Sequence, residues 1–196
     1  MGLLEALLGG RRRLKAPAAD RLFAMSTAYV TLETGLGIKG RNVAGIVFQP
    51  LATADFGSIV SDTEELLRGT AEESGTEVQS ADDEYGFRWL ILRDSDFDDL
   101  VVALNTVSTE LQSGGYGDRL LCCVFAFEDS ARPPDTGRTL YLIYNFKRGA
   151  FYPFVPAPRE KARDSERELR LKAQIGAELP FEQDLTRWFP LWEIPL

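Results

Sequence analysis

The stretch Asp96–Glu128, DFDDLVVALNTVSTELQSGGYGDRLLCCVFAFE, holds two elements of opposite period side by side. In its first half Phe97, Leu100, Val101, Leu104, Val107 and Leu111 fall on one helical stripe, with Asp96 suited to the N-cap and Gly114 to the stop. In its second half RLLCCVFAFE is apolar on both alternations, which predicts a central strand covered on both faces. A helix running straight into such a strand calls for a sheet with helices laid on it.

Working outward, TEVQS and FRWLILR read as strands around an ADDEYG turn, and TLYLIYNF and AFYPFV read as a hairpin turning at Lys147–Gly149. Upstream, PAADRLFAM reads as a short helix, AYVTLE and VAGIVF as strands joined by TGLGIKGRN, and Phe56–Arg68 as a helix. Downstream, PREKARDSERELRLKAQIGAEL reads as a charged helix with a thin apolar side. Its Glu166–Arg170 and Glu168–Lys172 spacings suit i,i+4 ion pairs. The expected order is strand-strand-helix, strand-strand-helix, three strands, helix. This is an α+β domain with a largely antiparallel sheet.

At 196 residues the chain suits one packed domain, expected over 17–196, behind an amphipathic and basic segment at 1–16. The net charge is -8, but Asp55–Asp99 holds 14 acids against three arginines, leaving the remainder slightly positive. A broad acidic surface repels phosphate backbones, so nucleic acid is not an expected partner. Adjacent Cys122 and Cys123 cannot form an ordinary disulfide without strain and point to a reducing compartment. In MGLLEALLGGRRRLK the apolar residues precede the basic ones, the reverse of a signal peptide, and no stretch reaches the length of a membrane span. The protein reads as cytoplasmic, with at most a weak peripheral contact at the inner face of the membrane through Leu3, Leu4, Leu7 and Leu8.

Motifs that approach known chemistry fall short of it. GLGIKG has the spacing of a dinucleotide loop at Gly35, Gly37 and Gly40, but a strand follows where a helix N-terminus would have to hold the pyrophosphate. DSDFDD starts like a calcium loop at Asp94, Asp96 and Asp98, yet lacks the glycine at position six and the bidentate glutamate at twelve. With no histidine in the chain, histidine-based triads and histidine-containing zinc sites are excluded. No catalytic residue, metal or cofactor is expected from these patterns.

Two surface candidates remain. YNFKRGAFYPFVP places Lys147 and Arg148 at a turn between aromatic strands, with Tyr152 beside them. The closing DLTRWFPLWEIPL carries Arg187, Trp188, Phe189 and Trp192. At roughly 150–250 Å² per aromatic ring and about 25 cal/mol per Å², such a tail can pin itself to its own domain. Residues 179–196 are therefore expected to dock on the domain, with partner binding as the other reading. Pro190 and Pro195 predict an extended or kinked path.

Three blocks, LFAMSTAYVTLE, GYGDRLLCCVFAFE with YLIYNFKRGAFYPFVP, and RWFPLW, resemble the PspA-associated PspAB family, and MGLLEALLG extends the likeness over nearly the whole chain. The resemblance implies an accessory role in a phage-shock-type envelope stress response, beside PspA-type or HtpX-like membrane proteins. It carries over no catalytic residues. Two functions are left open: a non-enzymatic adaptor working through Lys147, Arg148, Tyr152, Arg187, Trp188, Phe189 and Trp192, or a small-ligand binder or histidine-free enzyme with a pocket of Tyr141, Tyr144, Arg148 and Tyr152.

Overall fold

The computed structural model describes residues 21–130, 137–159 and 161–196, and only the backbone at 70–74. The N-terminal segment 1–16 and the first turn of the helix expected from Pro17 lie outside the described residues.

Six strands form one antiparallel sheet in the order β2-β3-β1-β4-β5-β6. They are β1 (Ile38–Phe48), β2 (Glu77–Asp82), β3 (Arg88–Arg93), β4 (Leu120–Asp129), β5 (Arg138–Asn145) and β6 (Ala150–Phe154). The helices among the described residues are α1 (Ala24–Val30), α2 (Ala54–Ser74), α3 (Phe97–Ser113) and α4 (Ser165–Ile175). The α+β class and antiparallel sheet agree with the sequence reading.

One element differs. AYVTLE is helical: α1 runs into a π-turn over Thr31–Gly35, whose end is closed by the Leu36 N–H on Thr31 and Leu32 carbonyls. Met25, Ala28 and Leu32 are all buried, and their spacing of three and four residues is a helical stripe that outweighs the strand preference of Tyr29, Val30 and Thr31. The order therefore begins with a helix and one strand. That strand absorbs Ile38–Asn42, expected as loop, with an irregular register between Gly40 and Ala44 where Asn42 takes a positive φ of 57°.

Helices α1–α3 cover one face of the sheet. Phe97 of α3 stacks on Tyr29 of α1 at 4.0 Å and meets Phe125 and Phe127 of β4 at 5.7 Å each, while Phe56 of α2 meets Phe48 of β1. A β-carbon on Gly40 would lie 3.3 Å from the Phe97 ring, so the glycine makes room for this stack. The α3 N-cap is as expected: Asp96 accepts the Asp98 N–H at 2.8 Å. Asp94 accepts the Asp96 N–H and the Thr76 hydroxyl, so the calcium-like spacing organises a helix start.

Helix α4 is shorter than its charged sequence suggests and contributes more core. Leu171 and Ile175 are fully buried, as is Glu168 almost entirely. Glu166 pairs with Arg170 as the spacing predicts. Glu168 pairs instead with Arg163 at 2.7 Å and accepts the Val155 N–H, while Lys172 lies 5.7 Å from the centre of the Trp188 ring. The i,i+4 geometry loses because Glu168 points at the β6 end, where an unpaired backbone donor needs an acceptor.

Candidate functional site: a groove between the sheet and the C-terminal segment

The second face of the sheet carries Gly45 and Val47 of β1, Trp89 and Ile91 of β3, Cys122 and Val124 of β4, Ile143 and Asn145 of β5, and Tyr152 and Phe154 of β6, as their cross-strand partners require. After α4 the chain follows the outer edge of β6, where the Phe151 N–H donates to Pro180 O and the Glu182 N–H to Phe151 O. Trp188 is buried there, its indole N–H on Glu182 O at 3.0 Å and its carbonyl held by Arg163. Residues 189–196 then lie along this second face. Trp192 meets Phe154, and a β-carbon on Gly45 would lie 3.2 Å from Leu196 Cδ2.

Between this segment and the sheet runs a groove of about 500 Å³. Val47, Trp89, Leu121, Cys122, Asn145 and Tyr152 form its floor. The C-terminal segment from Phe189 to Pro195 supplies one wall, and the β2–β3 turn with Asp82, Asp83, Glu84 and Tyr85 supplies the other. Lys147 of the β5–β6 turn also lines it.

The turn is held by Asp83, whose carboxylate accepts the Tyr85 and Phe87 N–H groups at 2.9 Å and the Trp89 indole N–H at 3.0 Å. One aspartate thus fixes both the acidic wall and the aromatic floor. The Arg88 guanidinium binds Asp82 through two bonds of 2.7 and 2.9 Å and holds its carboxyl below the usual range. Tyr85 is 73% exposed, and the Glu84 carboxylate, with Glu193 and Asp83 nearby, raises its hydroxyl pKa. Burial pushes the Cys122 thiol up to about 12 and raises the Tyr152 hydroxyl as well. Both stay protonated at neutral pH. The groove offers apolar and aromatic contact ringed by carboxylates, which is chemistry for binding.

The sequence-derived candidates separate in space. Lys147, Tyr152, Phe189 and Trp192 line the groove. Arg148 is exposed on the same turn as Lys147, and Arg187 pairs with Glu182 and Asp184. Trp188 is 4% exposed and Phe189 58%. Trp188 and Trp192 pack on the domain, Trp192 against Phe154, whereas Phe189 between them is turned to solvent. The four pocket candidates also divide. Tyr144 pairs with Cys123 and Phe151 on the helix-covered face, Tyr141 and Tyr152 lie on the other, and of the four only Tyr152 lines the groove.

The β2–β3 turn and Asn145 were not among those candidates. The turn's one sequence signal is the density of acids before Trp89, and Asn145 has none.

A family model described as PspA associated protein B matches residues 1–196, the full length. The chain belongs to the PspAB family. No curated protein and no solved structure matches it. The family description associates PspAB proteins with PspA. Among the described residues of this PspAB chain, no helix is long and apolar enough to cross a membrane. Among the same residues, no group of three or more Cys, Asp or Glu side chains is placed to hold a metal ion.

Proposed function

We propose that this PspAB protein is a non-enzymatic adaptor that receives a segment of PspA, or of an HtpX-like neighbour, in the groove between its sheet and its C-terminal segment. It would do so at the cytoplasmic side of the membrane, as part of a phage-shock-type envelope stress response. The observation that carries this reading is the pair of exposed aromatics on opposite walls, Tyr85 at 73% and Phe189 at 58% exposure, above an apolar floor. Aromatic side chains left in water beside an apolar trough gain most when a partner covers them.

The test is titration of purified PspA against the protein and against a Tyr85→Ser, Phe189→Ser double variant. Both side chains are largely solvated, so the variant should melt within about 2 °C of the parent. Its affinity for PspA should fall at least tenfold, which corresponds to about 1.4 kcal/mol. Equal affinity of the two proteins would reject the groove as the docking site.

A further inference from the structure

We propose that the same groove is occupied, when no partner fills it, by this chain's own N-terminal segment Gly2–Lys15; the inference rests on the groove being a docking surface. Three observations lead there.

The first is chemical fit. Leu3, Leu4, Leu7 and Leu8 provide apolar side chains for the floor, and Arg11, Arg12, Arg13 and Lys15 against Glu5 give the segment a charge of +3. The groove is lined by Asp82, Asp83, Glu84 and Glu193 against Lys147; Asp82 is paired with Arg88 and Asp83 holds the β2–β3 turn, so Glu84 and Glu193 are the carboxylates left to attract a cationic occupant. Opposite charges around a low-dielectric trough favour this pairing and disfavour an acidic occupant.

The second is the point of departure. The described chain starts at Arg21, whose guanidinium donates to Gly149 O at 3.0 Å. Gly149 belongs to the β5–β6 turn that also carries Lys147 into the groove lining. Arg21 therefore touches the same hairpin tip as Lys147, from the side of Tyr144.

The third is reach. The residues between Leu8 and Arg21, fully extended, span roughly 40 Å, enough to round a hairpin tip. A tether of this length gives an effective concentration on the order of 1 mM. Even an intrinsic dissociation constant of about 100 μM would then leave the groove filled about ten times more often than empty. A partner must displace the segment, so the device sets a threshold for binding.

The test uses the full chain carrying p-benzoylphenylalanine in place of Phe189, irradiated and digested for mass spectrometry. A cross-link to residues 3–13 within the monomer is expected. The full chain with Arg11→Glu, Arg12→Glu and Arg13→Glu should lose that cross-link at least tenfold and bind purified PspA about tenfold tighter. A cross-link confined to a dimer band, one mapping elsewhere, no cross-link at all, or an undiminished yield in the charge-reversed chain would each overturn the inference. So would unchanged PspA affinity in the charge-reversed chain. The docking reading is judged separately by the Tyr85→Ser, Phe189→Ser variant: if PspA still needs those two side chains while the cross-link is missing, only the self-occupancy fails.

Discussion

Trp192 meets Phe154 edge to face, with ring centroids 5.1 Å apart and planes at 81°. This contact joins the C-terminal segment to β6, and Leu196 against Gly45 joins it to β1, four strands being spanned between them in the order β1-β4-β5-β6. The groove therefore owes one wall to residues that local sequence would leave frayed.

Trp192→Ala should lower stability by about 2 kcal/mol, below the usual cost of removing a fully buried tryptophan because Trp192 is half-buried. The melting temperature should drop by roughly 5 °C. Gly45→Val places new atoms where Leu196 now lies, and should loosen the segment and increase acrylamide quenching of tryptophan fluorescence. Thermal denaturation and quenching of both variants check these outcomes.

Glu168 is buried, and its burial raises its pKa even though the Arg163 guanidinium and the Val155 N–H favour the anion. Glu168→Ala should cost about 3 kcal/mol, because it strands a partly buried cation and a backbone donor. Glu168→Gln keeps an acceptor for Val155 and should cost about half as much. Urea midpoints at neutral pH distinguish the two.

Asp164 has the opposite shift. Burial raises its pKa, but the Arg167 N–H and the Arg138 guanidinium, 3.0 Å away, outweigh that and hold it below 3.8. A depressed carboxyl stabilises the fold above its unfolded pKa, and the contribution disappears as pH falls through the lower folded value. Asp164→Asn keeps a capping acceptor at the start of α4 and removes only the charge. The variant should be less stable by about 1 kcal/mol at pH 7, with the gap closing as pH falls below the ordinary carboxylate value of 3.8 and through the lower folded one. Denaturation midpoints between pH 2 and 7 test the window.

Cys122 and Cys123 face opposite sides of β4, and burial raises the thiol pKa of each. For Cys122, at about 12 against 9.0, the thiolate fraction at pH 8 is roughly a thousandfold smaller than for an ordinary thiol. Iodoacetamide at pH 8 should leave both unmodified in the native protein and label both in 6 M guanidinium. Rapid native labelling of Cys122 would mean that the groove floor opens.

Much of this architecture is written locally. The α3 stripe from Phe97 to Leu111, its Asp96 cap and the two-sided apolar run of β4 each follow from one short window, because helix and strand periods differ and capping needs only nearby backbone. The absence of histidine likewise excludes histidine-based triads and histidine-containing zinc sites from composition alone. What local sequence could not decide are contacts between distant segments. The choice of helix for Tyr29–Thr31 depends on Met25, Ala28 and Leu32 being buried together. The diversion of Glu168 from Lys172 to Arg163 depends on where β6 ends. The groove itself joins β1, β3–β6 and the β2–β3 turn to residues near 190, and separates Tyr144 from Tyr152 by the thickness of a sheet. Which residues share a face is fixed by sequence once the strands are known; which segment covers that face is fixed by the burial of apolar area across the fold, a property of no single window.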